Sequence, residues 1–212
     1  WNMILPQLVT PYAKLMSATS NGQHPVPTFH SSCTKTNCNG PSRQKLKVTC
    51  VYTKYLKEIY LDVCKCCPAS LQLLERGLFP SAPVQPTLAV DLDQLNIVSM
   101  LFMVSAPNVM NWAKTLMLCL ARKGYVLGGQ DVLHHHYGQA LQYYQVMIDM
   151  VSQTVNNMIE SSRKHQAQGE HAVIPQTFES LAGNPITRSY FTQDEDQKPS
   201  HDRKCLSPYL RS

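Results

Sequence analysis

Three cysteines in four positions, Cys64, Cys66 and Cys67, run straight into Pro68 and restrict this chain more than any other stretch. Thiols packed that densely are small buried groups, disulfides, or ligands of a soft metal. Six of the eight cysteines lie between Cys33 and Cys67, with Cys119 and Cys205 apart. A secreted disulfide scaffold is normally short and follows an export signal, and no basic region with an apolar core stands at this start. Metal ligation is the better reading. The chain opens at Trp1 and not at Met, which reads as a fragment of something longer.

The residues between the cysteines alternate. Leu46, Val48, Cys50 and Tyr52 fall on one side of an extended run, with Lys45, Lys47 and Thr49 opposite. Ile59, Leu61 and Val63 repeat the pattern against Tyr60 and Asp62. Alternation predicts two strands, and the short connector Lys54–Lys57 predicts an antiparallel hairpin. Cys64 then ends the second strand, and Cys38 precedes the first by a few residues. The hairpin therefore offers one shared site for Cys33, Cys38, Cys64 and Cys66, a four-thiolate set suited to a structural Zn2+. His30, Cys67 or Cys50 are alternative ligands, although Cys50 lies on the apolar face and reads as core.

Charge is concentrated on the same stretch. From Cys33 to Cys67 there are seven basic residues and two acids, a net +5, and the rest of the chain sums to zero. Lys45, Lys47, Lys54 and Lys57 are the candidate contacts to a phosphate backbone. The bland alternative is a set of lysines that keeps strand edges from pairing.

Upstream, Trp1–Met16 has helical spacing, with Pro11 expected to break or bend it, and a polar loop follows to His30. Pro68–Arg76 predicts a short helix stopped by Gly77. Phe79–Pro86 reads as a proline-stiffened linker and Thr87–Val104 as a helix, with Asp91 and Asp93 near its start. Asn108 or Asn111 is placed to cap the next helix, which ends near Lys123. The longest helix should span about 131–164. Its seam, Tyr137, Leu141, Tyr144, Ile148, Val151, Val155 and Met158, steps by four and three. The flanks of the seam carry no charge, so packing inside the chain is expected over a homodimer. His134, His135 and His136 are adjacent and splay around that helix, so they cannot converge on one ion. From Gln166 the chain turns polar and reads as linker. No apolar run approaches a membrane span, and neither a phosphate-binding loop, a dinucleotide glycine motif nor a catalytic triad is evident.

The C-x-C-x-P of Cys64, Cys66 and Pro68, the GLFP of Gly77–Pro80 and the APxxPTLAVDL of Ala82–Leu92 together resemble the cysteine cluster found N-terminal to fungal KDZ (Kyakuja, Dileera and Zisupton) transposases. The resemblance implies a zinc-chelating region attached to a transposase whose catalytic part has an RNase H-like fold and lies outside this chain. Ser207–Ser212, SPYLRS, resembles the run leading into that part. The expectation is an α+β chain: a small zinc-supported β-hairpin module packed with or followed by a mainly helical bundle. Its divisions are 1–30, a cysteine module at 31–92, helices at 93–165 and a polar linker at 166–212. The expected role is non-catalytic: DNA or chromatin recognition in the nucleus, with no membrane and no small-molecule substrate. The competing expectation is a zinc-stapled protein-interaction module without DNA contact.

Overall fold

The computed structural model describes residues 1–26, 44–127 and 130–167. The order of elements is α1 (Leu5–Ala18), β1 (Gln44–Val51), β2 (Leu56–Val63), α2 (Ala69–Leu74), β3 (Leu78–Pro80), β4 (Leu88–Asp91), α3 (Leu92–Val104), α4 (Val109–Ala121) and α5 (Gln130–Ala167). The α+β expectation holds, but the sheet is larger than a hairpin. It has four strands in the order β2-β1-β4-β3.

The expected hairpin forms β1 and β2, in antiparallel register from Gln44↔Val63 to Val51↔Leu56. Its turn is tight: the Tyr52 N–H donates to the Tyr55 carbonyl at 3.1 Å. Val48, Cys50 and Leu61 are buried on the face that alternation assigned to the core. The other edge of β1 pairs in parallel with β4, through Thr49↔Leu88 to Val51↔Val90. β3 closes that side, antiparallel to β4.

This corrects two readings. Leu88–Asp91 is a strand and not the first turn of a helix, and Leu78–Pro80 is a strand that takes in the first two residues of the segment read as linker. Apolar runs this short carry no period that separates strand from buried helix. Pro80 is the last residue of its strand, at the sheet's outer edge, where a missing N–H is tolerated.

Both faces of the sheet are covered where β1, β4 and β3 meet. On one face α2 sets Ala69 and Leu73 against Val48, Cys50, Leu61, Leu78 and Ala89. On the other, Val51, Phe79, Leu88 and Val90 join a larger core built from α1, α3, α4 and α5. Phe79 anchors it, stacked on Trp1 at 5.7 Å between ring centroids and edge-on to Tyr144 at 5.8 Å. α1 runs through Pro11 without ending there. Leu8, Val9, Tyr12, Ala13 and Leu15 are buried along it, and that packing outweighs the lost backbone bond.

The expected seam of α5 is interior. Tyr137, Leu141, Tyr144, Ile148, Val151 and Val155 are all buried in the chain's own core, with Met158 packed at its margin. α4 starts on the Asn108 cap, whose side chain accepts from the Asn111 N–H at 2.9 Å. It ends in a Schellman-type closure: Gly124 has φ +84°, and the Tyr125 N–H returns to the Leu120 carbonyl at 3.1 Å. Among the described residues no helix is long and apolar enough to cross a membrane.

Candidate metal centre and basic surface

Cys64 sits where β2 stops. Its N–H and carbonyl pair with Cys67 across an isolated antiparallel bridge, Cys67 N–H to Cys64 O at 3.2 Å and the reverse at 3.4 Å. Lys65 and Cys66 form the loop between them. The turn brings the sulfurs of Cys64 and Cys66 to 3.6 Å. Two thiolates on one tetrahedral Zn2+, each about 2.3 Å from the metal, stand roughly 3.8 Å apart. The pair thus fits one edge of such a site with almost no adjustment. Cys64 is buried, Cys67 half-buried and Cys66 exposed, so the loop presents its chemistry outward.

Pro68 then turns the chain with an extended ψ of 155°, and α2 begins. Gln72, one turn into that helix and 2% exposed, reaches back to the cysteines. Its amide donates to the Asp62 carbonyl at 2.8 Å and to the Cys67 carbonyl at 3.0 Å. One side chain thereby clamps the end of β2 to the cysteine loop. Sequence reasoning missed Gln72. Its only signal is a polar residue on the buried side of an amphipathic helix.

Cys33, Cys38 and the alternative ligand His30 lie outside the described residues, as does Cys205. Among the described residues no group of three or more His, Cys, Asp or Glu is arranged to hold a metal ion. Cys50 does not join Cys64. It pairs with Lys57, while Gln44, six residues earlier on β1, pairs with Val63 beside Cys64. Six strand residues are about 20 Å. Cys50 is fully buried, and desolvation lifts its thiol to about 11, against a smaller opposite pull from Lys57 and Arg76. It is a core thiol. Cys119 is exposed on α4.

The four candidate lysines do not share one surface. Lys45 and Lys47 project from the face of β1 opposite Cys50 and Val48, with Asp62 and Tyr60 directly across on β2. Lys47 is ion-paired to Glu58 at 2.8 Å, and this carboxylate raises the pKa of its ammonium. Two lysines and two carboxylates therefore occupy that face. Lys54 lies in the hairpin turn. Lys57, odd in register against Lys45 and Lys47, falls on the opposite face near the tip. All four are exposed.

These features define a cysteine-cluster domain: a paired-thiol turn at a hairpin end, clamped to a short helix and carried on a small mixed sheet. Residues 21–123 match the family model described as CxC2 like cysteine cluster associated with KDZ transposases, and that part of the chain is such a domain. No curated protein and no solved structure matches the chain. The matched residues include the whole sheet, α2, α3 and α4. A cluster of this kind is a non-catalytic region associated with KDZ transposases.

Proposed function

We propose that this chain is the zinc-binding, non-catalytic N-terminal region of a fungal KDZ-type DNA transposase, which recognises DNA or chromatin in the nucleus. The parent enzyme's catalytic domain lies beyond this sequence. The observation that carries the reading is the 3.6 Å Cys64–Cys66 sulfur pair within a transposase-associated cysteine cluster. Cys33 and Cys38 complete the ligand set. Their segment enters β1 at Gln44, which pairs with Val63 next to the cysteine turn, and this supports a shared site. Zinc there is structural, because four thiolates leave no open position for substrate or water. The phosphate contacts are drawn from among the exposed lysines of the hairpin, Lys45, Lys47, Lys54 and Lys57.

The test is metal content and its dependence on individual thiols. Elemental analysis of protein purified under reducing conditions should give about one zinc per chain. Cys66→Ser should lower that figure, whereas Cys119→Ser and Cys50→Ala should leave it unchanged. Absence of metal in the wild type sinks the zinc assignment.

A second reading has its own support. Ile97, Met100, Leu101, Met103 and Val104 on α3, with Met110 and Leu118 on α4, are exposed apolar side chains. Methionine-rich exposed surface suits an adaptable protein contact. In this reading the chain is an interaction module in which zinc is only a staple. Zinc-loaded protein that fails to retain duplex DNA at low salt favours it.

A further inference from the structure

The turn of the hairpin meets the end of α4. The Lys123 ammonium donates to the Lys54 backbone carbonyl at 3.2 Å, across 69 residues of sequence. Lys54, Lys57, Arg122 and Lys123 are all exposed around this junction. Neither contributing segment dilutes their charge: there is no Asp or Glu from Val48 to Lys57, and none from Gln94 to Gln130. The strand face differs, because Glu58 and Asp62 stand among Lys45 and Lys47 there. Tyr55, beside Lys54, stacks on Tyr52 with centroids 4.5 Å apart and is itself 41% exposed. Fixed cations around an exposed aromatic ring are the composition of a nucleic-acid-binding surface.

The backbone fixes the geometry of these groups. The Gly124 closure of α4 sets Arg122 and Lys123 at the last turn of a helix whose Ala113, Leu116 and Leu120 are buried in the core. The hairpin turn is held by the Tyr52–Tyr55 backbone bond. Both contributors therefore present charge from well-packed elements, and less side-chain ordering is needed on binding.

We infer that the phosphate backbone of DNA binds at this junction of the hairpin tip with the end of α4, through Lys54, Lys57, Arg122 and Lys123, and not along the strand face carrying Lys45 and Lys47. The inference rests on the DNA-recognition reading and relocates its surface. Arg122 and Lys123 are additions that a charge count over the cysteine segment does not reach.

The experiment titrates a fluorescein-labelled duplex of random sequence with the full, zinc-loaded chain at several salt concentrations. Four phosphate contacts give a log–log salt slope of roughly −3.6, and each lost contact flattens it by about 1. Lys54→Glu/Lys123→Glu should weaken binding at least about tenfold at low salt and flatten the slope by about 2. Lys45→Glu/Lys47→Glu should weaken it less than about threefold. The neutralising pair Lys57→Gln/Arg122→Gln guards against a folding defect from charge reversal and should also flatten the slope by about 2. Circular dichroism and zinc content should match the wild type in all three. A strand-face variant that loses as much as the tip variants, or tip variants that bind like wild type, overturns this placement while DNA recognition stands. A wild type that fails to bind the duplex at low salt overturns both.

Discussion

Replacing Ile148 by Asp tests whether the long helix is interior to one chain. Ile148 is 3% exposed, in the core with Tyr144, Val151 and Val155. Two costs add. Truncating the apolar side chain removes burial and packing worth about 2–3 kcal/mol, the lower part of the range for buried Ile or Leu truncation. The new carboxyl must also be desolvated. Asp149 calibrates this: on the neighbouring position, towards the surface, burial already raises its pKa. At the fully buried position a carboxyl should titrate above neutral pH. Folding at pH 7 then requires taking up a proton that the unfolded chain, with a pKa near 3.9, has released, at about 1.36 kcal/mol per unit, or about 4 kcal/mol. The sum is about 6 kcal/mol, comparable with the whole stability of many domains. The sign follows from the raised folded pKa: the ionisation cost grows as pH rises above 4 and vanishes below it. Urea unfolding, followed by Trp1 and Trp112 fluorescence, should show a loss of about 6 kcal/mol at pH 7 and only about 2–3 kcal/mol at pH 4. Val146→Asp, at a position 40% exposed on the same helix, should cost under about 1 kcal/mol. A folded Ile148→Asp chain with less than about 1 kcal/mol lost at pH 7, sedimenting as a monomer from a dimeric parent, refutes the interior seam.

Three further outcomes follow from local geometry. Asp91 at the end of β4 has its pKa raised to about 6, by burial first and by the charge of Asp93 second, while backbone N–H groups of Leu92 and Asp93 oppose the shift. Stability should therefore fall as pH rises from about 4 to about 6, by about 1–2 kcal/mol after allowing for its partial exposure, and Asp91→Asn should flatten that slope in unfolding measured across the window. Gly77 ends α2 at φ +74°, and an added Cβ would stand 2.9 Å from Val26 Cγ2. Gly77→Ala should cost about 1–2 kcal/mol, Gly77→Asn less, and an unchanged melting temperature for the alanine variant would rule out the strain. Asn108→Ala should lose about 1 kcal/mol with the cap of α4, and Asn108→Ser should recover most of it; equal stabilities for the two variants would contradict the cap.

Much of this architecture was legible because period and punctuation agree. The alternation around Val48, Cys50 and Leu61 gave the hairpin and its inner face, Gly77 gave the end of α2, and steps of four and three gave the buried side of α5. The failures share a cause: they depend on partners distant in sequence. Leu88–Asp91 is a strand only because β1 offers it a parallel edge. The same four residues, read alone, suit a helix start equally well. The cysteine turn was legible as a pair, whereas the Gln72 clamp depends on where α2 packs against β2. Counting charge along the chain located the +5 excess but not its faces. Register assigns Asp62 and Glu58 to the lysine side of the hairpin, and tertiary packing brings Lys123 to Lys54.

That dependence on the distant strand also changes what a metal at the cysteine turn would be needed for. A lone hairpin with few buried residues would need the metal to fold at all, as small zinc modules do. Here β1 is an inner strand. Its Thr49–Val51 half is held on both edges, by β2 and by β4, and is covered on both faces by Cys50 and Val51 packing in opposite directions. The Gln44–Val48 half pairs only with β2, and that overhang ends at the cysteine turn. A tetrahedral ion there would tie the free end of the overhang to the start of α2, where Gln72 already makes two bonds. Its stabilisation would therefore be local. It would act on the outer half of the hairpin, the cysteine loop and the first turn of α2, while the sheet centre and the α1–α5 core rest on apolar burial. A metal at this place would shape the outer end of the hairpin more than it would decide whether the chain folds.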